Sequence, residues 1–268
     1  LKEGYTMNRK MPVLFIGHGS PMNAIEDNQA SRSWTALGKD ITDNYGKPKA
    51  IVVVSAHWAT KGTYVRVADK NPQIYDMYGF PQPLYDIKYE PPGEPGLAKR
   101  VLTMLDGIAV GTTDWGIDHG VWTELMYMYP DADIPVVIIS TDMTSGPEIL
   151  VEIGKRLQPL RDEQILVMAS GNVVHNLRDI SFDTPQGFPW ANAFDESICD
   201  AIVNKQYDVP IHYTQLEGAH KAVPMPDHYY PLLAAIGAVT DEDTVSVWND
   251  YRELGSLSMT SYRWDSKQ

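Results

Sequence analysis

Short apolar runs alternate along the chain with longer stretches whose apolar positions recur every three to four residues, the pattern of strands separated by amphipathic helices. The runs predict strands near 11–17, 50–56, 63–68, 108–112, 134–140, 164–170 and 243–248. The amphipathic stretches predict helices at 30–45, 94–106, 119–129, 146–160, 190–205 and 227–239. Pro95, near the first turn of the second helix, and Gly107, just past its end, stand where helices prefer those residues. Several strands are nearly continuous Val, Ile and Leu, as expected when helices cover both faces of a sheet. The fold class that follows is a three-layer α/β/α sandwich around a central mixed, largely parallel sheet.

One stretch breaks the pattern. NPQIYDMYGFPQPLYDIKYEPPG is crowded with Pro, Gly and Tyr, shows no sustained period, and is too long for an ordinary connection. Two readings stand side by side: a surface loop stapled down by its tyrosines, or a wall of a ligand pocket.

At 268 residues with 43% hydrophobic content, the chain can bury one substantial core. The expected organisation is a polar leader over residues 1–10 followed by a single catalytic domain over 11–268. A formal charge of −13 argues against nucleic acid or an anionic membrane surface as partner, since both need clustered Lys and Arg. The lone cysteine, Cys199, excludes an intramolecular disulfide and a thiolate zinc cluster, and its place in WANAFDESICDAIV points to packing. No apolar run approaches the roughly 20 residues of a membrane helix, and the opening LKEGYTMNRK lacks the apolar centre of a signal peptide. The expected location is cytoplasmic.

The chemistry resides in the histidines. His18 ends MPVLFIGH, His57 ends AIVVVSAH, and His175 follows ILVMASGNVV, so three of the seven stand at or just beyond strand ends. Open α/β sheets bind ligands outside the carboxyl ends of their strands, where residues distant in sequence converge. His228, in PMPDHYYPLL, is expected to open a late apolar helix and to reach the same crevice. Gathered imidazoles suggest a metal such as zinc, iron or copper. HExxH is absent, so the site is assembled from dispersed residues, and GHGSP lacks the lysine and the spacing of a phosphate-binding loop. Three neutral nitrogens with an open position serve an iron oxygenase and a zinc hydrolase alike, and the ligand types alone leave both open.

GHGSPMNAIEDN, IVVVSAHW, YGFPQPLYDIKYEPPG, WGIDHGVW, MYPDADIPVV, ASGNVVHNLR, PDHYYPLL and GSLSM, taken in order, resemble the class III extradiol ring-cleavage dioxygenases, in particular their 4,5-DOPA dioxygenase extradiol branch. The resemblance runs from about residue 11 to residue 259. It implies that His18, His57 and His228 hold the metal, and that His175 is the acid-base residue or a fourth metal ligand. It also implies that His119, in DHGVW, is a further pocket histidine that hydrogen-bonds substrate or oxygen. His212 reads as a strand or loop residue and His220 as an outer-pocket residue. The implied reaction opens the ring of a catechol such as DOPA with O2, using Fe(II), with Zn(II) able to occupy the same site without redox chemistry. A non-catalytic metal-binding or interaction protein on the same fold is the alternative outside enzymes. Under the dioxygenase reading, part of the aromatic loop covers the catechol, with Tyr78 and Phe80 against it.

Overall fold

The computed structural model describes residues 9–268. Of the expected leader over residues 1–10, only Arg9 and Lys10 fall among them, and the rest of that expectation lies outside the described residues.

The strands are β1 (Val13–Gly17), β2 (Ala50–Thr60), β3 (Thr63–Arg66), β4 (Ala109–Thr112), β5 (Val136–Asp142), β6 (Ile165–Gly171), β7 (Thr244–Trp248), β8 (Arg252–Glu253), β9 (Leu257–Ser258) and β10 (Ser261–Asp265). The helices are α1 (Gln29–Tyr45), α2 (Gln82–Tyr85), α3 (Pro95–Met104), α4 (His119–Met128), α5 (Pro147–Leu157), α6 (Pro189–Val203), α7 (Asp208–Ile211), α8 (Ala219–Ala222) and α9 (Tyr230–Ala238). Eight strands form one sheet in the order β4-β3-β5-β2-β6-β1-β10-β7. Its centre, β5-β2-β6-β1, is parallel, and antiparallel pairs join β3 to β5, β10 to β1 and β7 to β10.

Alternate residues of the central strands serve opposite faces, as the pleat requires. Val13, Phe15, Val52, Val54, Val167 and Ala169 pack under α3, α5, α6 and α9. Leu14, Ile16, Ile51, Val53, Leu166 and Met168 pack under α1 and α4. This double cover explains the unbroken apolar strands and makes the three-layer sandwich.

The departures from expectation have local causes. The expected helix 146–160 stops at Leu157, and the chain tightens into a 3-10 turn over Gln158–Glu163, because Pro159 cannot continue an α-helix. The helix expected from 227 begins only at Tyr230, which leaves Asp227 and His228 in the preceding turn with Pro231 in its first turn. The C-terminal strands β8 to β10 carried no apolar signature. In SYRWD the buried Arg263 is polar yet paired with Asp40 and Asp265, so the strand is buried without looking so. β2 continues past its expected end at 56, with a register shift against β5 between Ser55 and Ala59. That irregularity lies around His57, where a break in pairing can re-aim a side chain.

Candidate metal centre

His18 directly follows β1, His57 lies within the last part of β2, His175 comes four residues after β6, and α4 begins with His119; all four line one cavity. His228 is fixed from the other side: its backbone carbonyl accepts from the N–H of Asn172 at 2.8 Å, just beyond β6. Two glycines make room for this convergence. A Cβ on Gly120 would stand 2.6 Å from the His57 ring and 3.2 Å from the His18 ring, and one on Gly171 would stand 2.2 Å from the His228 carbonyl.

The ring nitrogens show what the cluster is built to do. Nδ1 of His18 lies 2.9 Å from the Ser170 hydroxyl, which itself donates to the carbonyl of Gly120. With its one proton so used, the hydroxyl can only accept from His18, so Nδ1 carries the imidazole proton and Nε2 is left with a lone pair. Nδ1 of His228 lies 2.8 Å from the Asp227 carboxylate, which makes the same assignment there. Nδ1 of His57 stands 3.3 Å from Asp76. The opposite nitrogens point inward: Nε2 of His57 is 3.0 Å from Nε2 of His18, and Nε2 of His228 is buried without a hydrogen-bond partner. One ligand atom from each of the three falls within 4.8 Å of the others. The free Nε2 of His18 thus faces the His57 ring, and a buried acceptor left without a partner, as Nε2 of His228 is, is costly. The donors therefore fit a divalent metal that accepts imidazole, with the outward nitrogens held by partners that orient the rings.

His57, Asp76 and His119 also have ligand atoms within 4.8 Å of one another. In that group the histidine Nδ1 atoms face a carboxylate, a contact that needs no metal: 2.8 Å from His119 and 3.3 Å from His57. Neither contact is a well-aligned hydrogen bond, and the aligned bond to Asp76 comes from the backbone N–H of His119 at 2.9 Å. Both groups thus bring metal-ligating atoms together, the first with three imidazoles and the second with two imidazoles and a carboxylate.

His175 stands outside that group. Its ring is stacked on His228, centroids 3.5 Å apart and planes 3° from parallel. Burial first, and then the neighbouring imidazoles, holds His18, His57 and His175 well below the ordinary histidine range, so all three are neutral near pH 7. Beneath them lie two buried acids. Asp118 accepts from Ser55, Trp115 and the backbone of Gly120 at 2.7, 2.9 and 3.0 Å, capping α4, and burial and the Asp76 charge push its carboxyl upward. Glu124 is fully buried with neither oxygen hydrogen-bonded, and burial raises it well above the usual carboxylate range.

The cluster opens into a cavity of about 350 Å³. Phe80 and Met77 of the aromatic loop line it, as does Asp76. Tyr78, expected beside Phe80, does not: it is 93% exposed and absent from the lining. The loop's other tyrosines act as staples, Tyr75 donating to Ile87, Tyr85 to Met77 and Tyr89 to Tyr129 through backbone carbonyls. Both readings of the loop thus hold, for different residues. His220 lies exposed on α8, outside the cavity lining, which corrects its placement in the outer pocket; a four-residue helix on the surface carries it. His212 closes α7, its Nδ1 at 2.9 Å from the Asp208 carbonyl. The residues that sequence reasoning passed over are Asp76, Asp227 and Gly120. Asp118 was legible as a helix cap immediately before an apolar helix, whereas Asp76 carries no local signal.

Residues 12–263 match the family described as the catalytic LigB subunit of aromatic ring-opening dioxygenase. A protein of Escherichia coli (strain K12) named 4,5-DOPA dioxygenase extradiol is 45% identical, with 97% of each chain covered. A protein of the same name from Beta vulgaris is 37% identical over 95% of this chain and 96% of its own. The crystal structure of an uncharacterized protein from Escherichia coli K12 superposes with a TM-score of 0.81 at 41% identity, covering 94% of this chain and 99% of that one. The chain belongs to the family of aromatic ring-opening dioxygenases whose catalytic subunit that description names.

Proposed function

We propose that residues 11–268 of this family member act as one catalytic unit, a metal-dependent extradiol dioxygenase. It opens the ring of a catechol such as DOPA beside, rather than between, the two hydroxyls, and both atoms of O2 enter the product. The observation that carries this reading is the convergence of three imidazoles, from His18, His57 and His228, in the lining of one cavity in a chain of this family.

In this reading His18, His57 and His228 hold Fe(II), and Zn(II) can occupy the same nitrogens. Bound Fe(II) supplies the redox chemistry that joins catechol and O2, which zinc lacks. The protein's own part is positioning and proton transfer. His175, kept neutral by burial, takes a proton from a catechol hydroxyl and returns it as the ring opens. Its stacking on His228 holds the ring beside the metal ligands. His119, its Nδ1 2.8 Å from Asp76 and its side chain in the cavity lining, hydrogen-bonds a substrate hydroxyl or oxygen. Phe80 and Met77 narrow access for water on the loop side.

The partners in this proposal are a small catechol and O2. No helix among the described residues is long and apolar enough to cross a membrane. The free, half-buried Cys199 accords with the cytoplasmic location that we include in the proposal.

The test is anaerobic reconstitution with Fe(II), followed by catechols in air, with a yellow ring-opened product expected and none from the zinc-loaded protein. Turnover of ester or amide substrates by the zinc form, with no ring opening by the iron form, would replace this reading with the hydrolase.

A further inference from the structure

We propose that Glu124 is a positioning residue of the metal centre: through the Ser170 hydroxyl it fixes which nitrogen of His18 carries the proton, and so keeps Nε2 free for the metal. This rests on the reading of His18 as a metal ligand given above.

Glu124 lies one turn after Gly120 on the same face of α4. It is fully buried in a stretch where Val121, Trp122, Leu125 and Met128 are buried as well. Neither of its oxygens makes an aligned hydrogen bond. The core alone would be better served there by an apolar side chain, because a buried polar group without a partner is destabilising. The hydroxyl that bears on its carboxyl is that of Ser170. The same hydroxyl donates to the Gly120 carbonyl and stands 2.9 Å from Nδ1 of His18. Acid, hydroxyl and imidazole thus form a chain from the core of α4 to the cavity.

The number of protons sets the direction of that chain. Burial holds the Glu124 carboxyl well above the usual carboxylate range, so near pH 7 it is a neutral acid with one proton to give. A hydroxyl oxygen has two lone pairs. One accepts from Nδ1 of His18, and the other is left for the Glu124 acid, which a turn of the carboxyl group directs onto Oγ. With both lone pairs occupied and its own proton on the Gly120 carbonyl, Ser170 cannot rotate to donate to Nδ1. Without Glu124 it can, the His18 proton then moves to Nε2, and that nitrogen is lost to the metal. His228 needs no such device, since the Asp227 carboxylate beside its Nδ1 only accepts.

The test compares Glu124→Gln, Glu124→Met, Ser170→Ala and the Glu124→Met, Ser170→Ala pair. In metal-free protein at pH 7, infrared spectra should show a protonated-carboxyl band that disappears in Glu124→Gln and moves in Ser170→Ala. Nitrogen NMR of the imidazole rings should find the His18 proton on Nδ1, and displaced toward Nε2 in Glu124→Met. Zn(II) affinity, read against a chromophoric chelator, should fall about 10–100-fold in Glu124→Met and less than about threefold in Glu124→Gln, whose amide donates in place of the acid. The thermal midpoint of Glu124→Met should not fall, which separates positioning from a structural role. In the Ser170→Ala background Glu124→Met should lower affinity no further, because the two groups act as one unit. No carboxyl band lost in Glu124→Gln, or His18 nitrogen signals unmoved in Glu124→Met, overturns the proposal. So does an undiminished effect of Glu124→Met when Ser170 is absent. If Glu124→Met does not fold, a carboxyl band unmoved in Ser170→Ala overturns it. Full metal occupancy in a His18→Ala protein sinks the reading of His18 as a ligand instead, and leaves the infrared and nitrogen signals to decide whether the chain from Glu124 to His18 exists.

Discussion

Asp76 and His119 meet twice: one carboxylate oxygen accepts from the backbone N–H of His119 at 2.9 Å and stands 2.8 Å from Nδ1 of the same residue. The other oxygen is 3.3 Å from Nδ1 of His57. A single acid from the aromatic loop thus orients a metal-ligand candidate and a pocket histidine together. Replacing Asp76 with Asn keeps the shape and removes the charge. The expected result is a loss of metal affinity of about 10–100-fold, the range for partners that orient metal-bound histidines. Titration against a chromophoric chelator measures it, and unchanged affinity would show that Asp76 serves the loop alone.

His18, His57 and His228 are each expected to be necessary for the metal and unnecessary for the fold, because the apolar layers on both faces of the sheet do not depend on the site. A His57→Ala protein should lose most bound metal in elemental analysis and keep its circular dichroism spectrum. Full occupancy would remove His57 from the ligand set.

His175 is expected to act on protons rather than to hold the metal. His175→Ala should keep metal and bind catechol anaerobically, yet lose turnover by roughly 10²–10⁴-fold, the usual worth of a general acid-base group. Metal loss equal to that of His57→Ala would make it a fourth ligand instead.

The depressed histidines give a signed prediction for pH. Because His18 and His57 stay neutral in the folded protein well below their ordinary value of 6.5, protons do not compete for those nitrogens at mildly acid pH. Metal affinity should fall less than about fivefold between pH 7.5 and 6.0, whereas three histidines titrating near 6.5 would give about fiftyfold. In the metal-free protein the unfolded chain takes up protons first, so this contribution to stability is full above pH 6.5 and declines as pH falls toward the folded values. Urea midpoints of metal-free protein that rise between pH 6.5 and 5.5 would contradict it.

Phe80 lines the cavity and Tyr78 does not, and their substitutions should separate accordingly. Phe80→Ala is expected to change relative kcat/KM among substituted catechols by several-fold, within the range of a lost apolar pocket contact. Tyr78→Ala should leave that profile unaltered. A shift in both would mean that the loop tip folds over bound substrate.

Most of the sandwich was legible because its cause is local. Strands such as VLFIG and IVVVS are apolar on both faces, and helices such as 94–106 carry their own start and stop signals. The C-terminal strands were not legible, since Arg263 and Asp265 become buried or half-buried only through partners elsewhere in the chain. Tyr78 and Phe80, two residues apart in an aperiodic loop, offered nothing to show which would face the cavity.

What the chain determined by itself is the layered core and the placing of histidines at the ends of parallel strands, because hydrophobic period and strand polarity are written in neighbouring residues. What the tertiary structure alone decided is the state of the His18 imidazole. Ser170 reaches His18 across 152 positions. Only when such distant groups are folded into contact does Nδ1 of His18 acquire its partner and Nε2 become free to point at the shared centre, whereas His228 takes its partner from the adjacent Asp227.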